Sequence, residues 1–423
     1  MALFSGPIIP GKRSQRGIWR TQDGEVVDAA KSMRGQATAV DPFGAIRVTD
    51  YNPVFSSRPL TVSKIYDREF KTGAADITVV DGEYKLTTPG GETCRLESAQ
   101  RGRYQSGLVG VPGVGARRTT APAGTTTYYI GYFDTDNGFG FKEDADGLHT
   151  FVRRNGEEIY STPRSEWFDP LDGTGPSGRS IDLLDGKIVR LPFLWYGYGS
   201  LTMSIIAPSD GLEDDDAVIA VDRFRPTGQV SLPNPNLPIS VEITGDSAGE
   251  IYVGGRQYGV FGKLDLRRKL TGEKSDDVSV GTTLTPLISA RVRPDDPWVT
   301  IPVQMEGFGT ITDSRLDVII LLGAELTSGG TALTDSDWAI SQYAENDTSV
   351  EFNTSADAYT GGEILGGPYF VTITGAGGNA SGGAEVSIPT QDIPIGEPVT
   401  IVARSRDGEA ATASVALRMA ELR

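Results

Sequence analysis

The residues with the clearest chemical potential sit close together near residue 135. Asp134-Thr135-Asp136-Asn137-Gly138 sets side-chain oxygens at alternating positions ahead of a turn glycine, as calcium loops do for a hard cation. Glu143, Asp144 and Asp146 follow closely. The full twelve-residue loop pattern and its terminal Glu are absent, and a tight Asn-Gly hairpin explains the same spacing. The stretch therefore reads first as a hairpin and second as a site for a structural Ca or Mg ion held by Asp134, Asp136 and Asn137. The acid run Glu213-Asp214-Asp215-Asp216 reads as a solvated loop tip, with metal binding as its alternative.

A second group pairs carboxylates with aromatics. Glu157, Glu158, Glu166 and Asp169 lie near Tyr160, Trp167 and Phe168, rings of the kind that line sugar grooves. Glycoside hydrolysis needs two carboxyls about 5–10 Å apart across a cleft. In a chain with 56 acids some pair meets that distance by chance. Tyr160, Trp167 and Phe168 are thus kept as a glycan-binding candidate, and a glycan-processing jelly-roll enzyme as the rival function. Trp195, Tyr196 and Tyr198 read as sandwich core or subunit interface.

Other chemistry is thin. His149 is the sole histidine, so a multi-histidine metal site cannot form, and it reads as a surface or strand histidine rather than a triad member. There is no phosphate-binding Gly-x4-Gly-Lys-Ser/Thr loop and no credible dinucleotide fingerprint. The glycine-rich stretch 375–383 lies between strands and reads as a loop. Cys94, the single cysteine, excludes an intrachain disulfide and reads as a small buried hydrophobe in a strand. No catalytic or cofactor-binding residue is assigned, and the chain reads as a non-enzyme.

The elements that must position these residues are strands. Asp76–Val80 and Tyr84–Thr88 flank Asp81-Gly82; Tyr128–Phe133 and Phe139–Lys142 flank the acidic turn; Leu148–Arg153 and Glu157–Ser161 flank Asn155-Gly156. Each is a hairpin signal. Leu60–Tyr66, Ser180–Leu183, Val189–Tyr196, Ser200–Ala207, Ala217–Phe224 and Ile239–Thr244 extend the series. A second series runs through Thr300–Gln304, Arg315–Leu322, Ala339–Tyr343, Ser349–Asn353, Tyr369–Thr374, Ala384–Ile388, Val399–Arg404 and Ala411–Met419, the last two read as a hairpin. Short strands with polar turns predict sandwiches. The predicted class is all-β: an extended N-terminal anchoring arm over 1–60, a jelly-roll-like sandwich over 61–274 and an Ig-like sandwich over 275–423. Helix is expected only over Glu25–Met33 and Ser336–Ala344.

Composition narrows the setting. With 423 residues, two or three domains are expected. A net charge of −17 repels nucleic acid and anionic membranes. The bases are 29 Arg against 10 Lys, and the acids 34 Asp against 22 Glu. That bias suits a halophilic setting, or equally a GC-rich genome. The N-terminus Met1-Ala2-Leu3-Phe4 lacks the basic and apolar regions of a signal peptide, and no run of 18 apolar residues exists, so neither export by signal nor membrane insertion is expected.

Several motifs carry a resemblance. Ile130-Gly131-Tyr132-Phe133-Asp134 with Asn137-Gly138-Phe139-Gly140-Phe141, Trp167 through Gly178, Phe193-Leu194-Trp195-Tyr196-Gly197-Tyr198-Gly199 and Asn234-Pro235-Asn236-Leu237-Pro238-Ile239 fall in order. Asp41-Pro42-Phe43-Gly44-Ala45-Ile46-Arg47-Val48 precedes them. Together they resemble a family of virion structural proteins of tailed phages and tailed archaeal viruses, from about residue 40 onward and more weakly after 275. The resemblance implies a place on the virion surface, as a capsid turret, spike or fibre or a neck or tail decoration, after synthesis in the host cytoplasm. The expected partners are further copies of the chain (a trimer or pentamer), other capsid or neck proteins, and a host-surface glycan or glycoprotein. A purely cementing protein is the second alternative.

Overall fold

A computed structural model describes residues 51–422 except 183–184, 208–216, 266–267, 295–301, 345–347, 372–385 and 388–391, together with four short strands before residue 50. The chain is all-β, as the strand spacing predicts. In the N-terminal stretch, Ile18–Arg20 pairs with Val26–Asp28 and Thr38–Val40 with Ile46–Val48. The helix expected over Glu25–Met33 is corrected at its start, where Val26–Asp28 is a strand; its β-branched valines favour that state. Residues 29–33 lie outside the described residues.

The first sandwich packs two antiparallel sheets. One runs Ala217–Phe224, Leu201–Ala207, Lys187–Arg190, Val109–Arg118, Gly249–Phe261, Glu83–Thr88, Asp76–Val80. Tyr51–Ser57 joins it beside the second half of the long Gly249–Phe261 strand. The other runs Glu157–Pro163, Gly147–Arg154, Gly138–Asp144, Thr127–Phe133, Pro238–Thr244, Cys94–Arg101, Asp67–Lys71. Alternation fills the space between them. In Glu83–Thr88, Tyr84, Leu86 and Thr88 are buried while Glu83, Lys85 and Thr87 are half-exposed. Tyr132 stacks on Tyr258 at 5.8 Å between the sheets, and Cys94 is fully buried. The Asp81-Gly82 and Asn155-Gly156 turns both hold φ near +51° and +81°, the left-handed pair a two-residue hairpin requires.

One charge pair is buried in this core. Arg256 bonds Asp67, whose other oxygen accepts from the Tyr84 hydroxyl at 2.9 Å. Burial, and then the Asp67 charge, push the Tyr84 hydroxyl well above its ordinary pKa, so it remains a donor.

The second sandwich packs Arg268–Lys274, Ala411–Leu422, Val303–Thr312 and Val386–Ser387 against Val350–Asn353, Thr285–Val292, Val399–Ser405, Leu316–Leu322 and Glu363–Val371. Its core includes Leu287, Phe308, Val318, Ile401 and Leu417. The sandwiches touch through Arg103, which reaches the buried Asp392 at 2.5 Å, and through Lys64, whose amide donates to Glu363 at 2.7 Å.

Several expectations need correction. Leu60–Tyr66 is not a strand: Tyr66 and Asp67 both donate to the Ser63 carbonyl, making a turn. Val189–Tyr196 ends as a strand at Arg190, before Pro192, which has no N–H for the ladder. Val399–Ser405 and Ala411–Leu422 do not form a hairpin but enter opposite sheets. Ser336–Ala344 is not helical; a 3-10 turn at Asp335–Asp337 gives way to a bridge from Ala339 to Phe352. Tyr51–Ser57 belongs to the first sandwich, not to an arm ending at residue 60. Arg268–Lys274 pairs with Ala411–Leu422 and so belongs to the second sandwich.

Candidate ligand-binding trough

The acidic turn is engaged by the protein itself. Asp134 Oδ1 accepts from the Asp136 and Asn137 amides at 3.0 and 2.8 Å, and its Oδ2 lies 3.1 Å from Arg101. Asn137 Oδ1 accepts from the Asn155 amide. Glu143 pairs with Arg118 at 2.6 Å. Among the described residues no cluster of three His, Cys, Asp or Glu side chains is arranged to hold a metal. Residues 213–215 and Asp216 lie outside the described residues.

The aromatic group is dispersed. Trp167 is buried against Phe141 and donates to the Thr162 carbonyl. Tyr160 is half-buried and bonds Asp222 at 3.1 Å. Phe168 alone is open, 61% exposed. Glu158 pairs with Lys142, and Asp169 holds its own loop by accepting from the Leu171 and Ser177 amides. His149 Nε2 lies 3.4 Å from Asp144. Trp195 packs on Tyr104, whereas Tyr196 and Tyr198 face solvent rather than the core.

The structure instead shows a concavity that sequence reading missed. A trough of about 830 Å³ lies on the outward face of the first sheet. Its floor comes from the Val109–Arg118 and Gly249–Phe261 strands. Val114 and Ala116 point into the core, so the alternating Gly113 and Gly115 face outward. Gly113 stands in register between Gln257 and Arg190, and Gly115 is opposite Ile188, which is opposite Ile206. Neighbouring strands lie about 4.8 Å apart, so Gln257 and Arg190 flank a bare strip roughly 10 Å wide. Gly255 continues the floor at an irregularity in the strand pairing. Tyr51 and Phe261, edge to face at 5.6 Å, close one end, and Ser56, Ser57 and Arg58 line the side.

Glycine at these positions is not required by the fold. A Cβ on Gly113, Gly115 or Gly255 would find its nearest atom at 3.4, 4.0 or 3.6 Å, ordinary contact, and none of the three has a left-handed φ. Each lowers strand stability by about 0.5–1 kcal/mol relative to alanine. Without side chains there, the floor of the trough is bare backbone.

The electrostatics are equally selective. Among the described residues no Asp or Glu lines the trough of this acidic chain, while Arg58 and Arg190 do, beside the Arg256 held by Asp67. Neither arginine makes an ion pair among the described residues, although Arg95, Arg101, Arg103, Arg117, Arg118 and Arg291 all do. The Arg190 guanidinium lies 5.6 Å from the centre of the Tyr51 ring. Burial raises the Tyr51 pKa against the opposing pull of Arg190, so its hydroxyl stays neutral. A second hollow, of about 420 Å³, is different: its Glu143 and Asp182 are both answered by Arg118.

No family model matches the sequence, and no curated protein matches it. Among solved structures the chain is similar to a protein of unknown function from Shewanella oneidensis MR-1, with TM-score 0.32 and 10% identity over 61% of this chain and 100% of that one. It is also similar to lectin II from Ulex europaeus, with TM-score 0.30 and 11% identity over 49% and 99%. A third is the VIP36 exoplasmic/lumenal domain in a form bound to Ca2+ and Man3GlcNAc, with TM-score 0.30 and 11% identity over 50% and 91%. At such scores neither a fold family nor a ligand carries over.

Proposed function

We propose that this chain is a structural, non-catalytic protein of a tailed virus particle, exposed on the capsid, neck or tail, and that the trough on its first sandwich serves attachment to the host surface. The observation that carries the binding role is the trough lining: Arg58 and Arg190 over a glycine floor, with no ion pair and no carboxylate beside them among the described residues. Arginine keeps its proton across the biological pH range, so this lining presents hydrogen-bond donors and charge but no group poised for proton transfer. The placement on a virion is supported by the ordered motifs between Asp41 and Ile239. In a trimer or pentamer the trough would be repeated, and avidity would multiply a weak single-site affinity by orders of magnitude.

The test has two arms. A density map of the particle should contain both sandwiches at its outer surface in symmetric copies; a complete map without them refutes the placement. Soluble chain should compete with particles for adsorption to host cells. Undiminished adsorption, with particles lacking the chain losing only stability, would favour the cementing alternative.

A further inference from the structure

We propose that the trough takes an acidic saccharide, a sugar chain bearing carboxylate or sulfate groups; this rests on the reading of the trough as a binding site. Charge is the first support. Arg58 and Arg190 face a space that no Asp or Glu lines among the described residues, in a chain of net charge −17, and two guanidiniums without an ion pair attract an anion there. Guanidinium donors match carboxylate and sulfate oxygens in charge-assisted hydrogen bonds.

Geometry separates a saccharide from an acidic peptide. Extended peptides add to sheets at open edges, through unpaired backbone groups. The floor strand Val109–Arg118 has no open edge, since it pairs with Lys187–Arg190 on one side and Gly249–Phe261 on the other. A ligand lying face-on must be held by side chains and by flat contact. The trough offers both: Gln257 and Ser56 as hydroxyl partners, Tyr51 and Phe261 as ring faces, and bare glycine where a pyranose could lie close to the sheet.

The experiment is calorimetric titration of the full chain with four probes: an oligogalacturonate, a neutral galactan oligosaccharide of equal length, a sulfated dextran oligosaccharide and a polyglutamate peptide. Wild-type protein should bind the carboxylated or the sulfated sugar about tenfold or more tighter than the neutral one, and Arg190→Gln should remove that margin. Repeating the titration at pH 3, with the fold checked by circular dichroism, separates the two anions, because the sugar carboxylate is largely protonated there while sulfate keeps its charge. Equal affinity for the neutral sugar, unaffected by Arg190→Gln, overturns the acidic class yet leaves the trough as a site provided Gly115→Val abolishes binding. A Gly115→Val protein that remains folded by circular dichroism and binds as wild type overturns the trough itself. Preference for polyglutamate, or no binding to any probe, overturns the saccharide.

Discussion

Replacing Gly115 with valine should stabilise the protein while destroying its binding. The new Cβ finds nothing nearer than the Gly255 carbonyl at 4.0 Å, ordinary contact, and Gly115 has no left-handed φ. Glycine within a strand costs about 0.5–1 kcal/mol against alanine, and a β-branched residue gains a little more. The net gain is about 1 kcal/mol, which for a unit of roughly 200 residues raises Tm by about 2–4 °C. The same side chain stands in the row with Ile188 and Ile206 and fills the strip that a ligand must cross. Thermal unfolding and calorimetric titration on one preparation read both effects, with affinity falling at least about tenfold. A lower Tm would mean that the glycine serves the strand, and unchanged affinity would mean that nothing lies across it; either result refutes the reasoning.

Four further outcomes follow from the same geometry. Gly138→Ala should be destabilising, by about 2 kcal/mol or more in denaturant unfolding, because φ is +145° there and a Cβ would run into Phe133. Asp67→Asn leaves the buried Arg256 guanidinium without its counter-charge and should cost about 3–5 kcal/mol in denaturant unfolding. Arg103→Ala strands Asp392, whose pKa burial already raises, and should lower stability by about 3 kcal/mol and speed proteolysis between the sandwiches. Affinity for a carboxylated sugar should be flat between about pH 5 and 9, since both arginines stay charged and Tyr51, with its pKa raised, stays neutral; it should fall only as the sugar's own carboxyl protonates near pH 3–4. A titration step near pH 7 would contradict this.

The sequence made the hairpins legible and hid the trough, for one physical reason. Asp81-Gly82 and Asn155-Gly156 sit where glycine serves a turn, and both turns form where expected. Cys94 lies buried in a strand for the apolar character read in it. Val109–Arg118 and Gly249–Phe261 were not recognisable by β-propensity, because Gly113, Gly115, Gly254 and Gly255 interrupt the apolar alternation. Those interruptions are the floor. The signal lay in glycines within strands that have no turn to make, which local rules read as breaks in a strand. The aromatic trio failed for another reason: Trp167 is apolar enough to be drawn into the core, and sequence spacing does not tell a buried ring from a presented one.

The most direct test is a structure of the full chain soaked with an oligogalacturonate. The sugar should lie across Gly113 and Gly115, with a carboxylate within hydrogen-bonding distance of Arg190. Clear density for the sugar at another surface, or an unoccupied trough at a concentration that saturates binding in solution, would contradict the central claim.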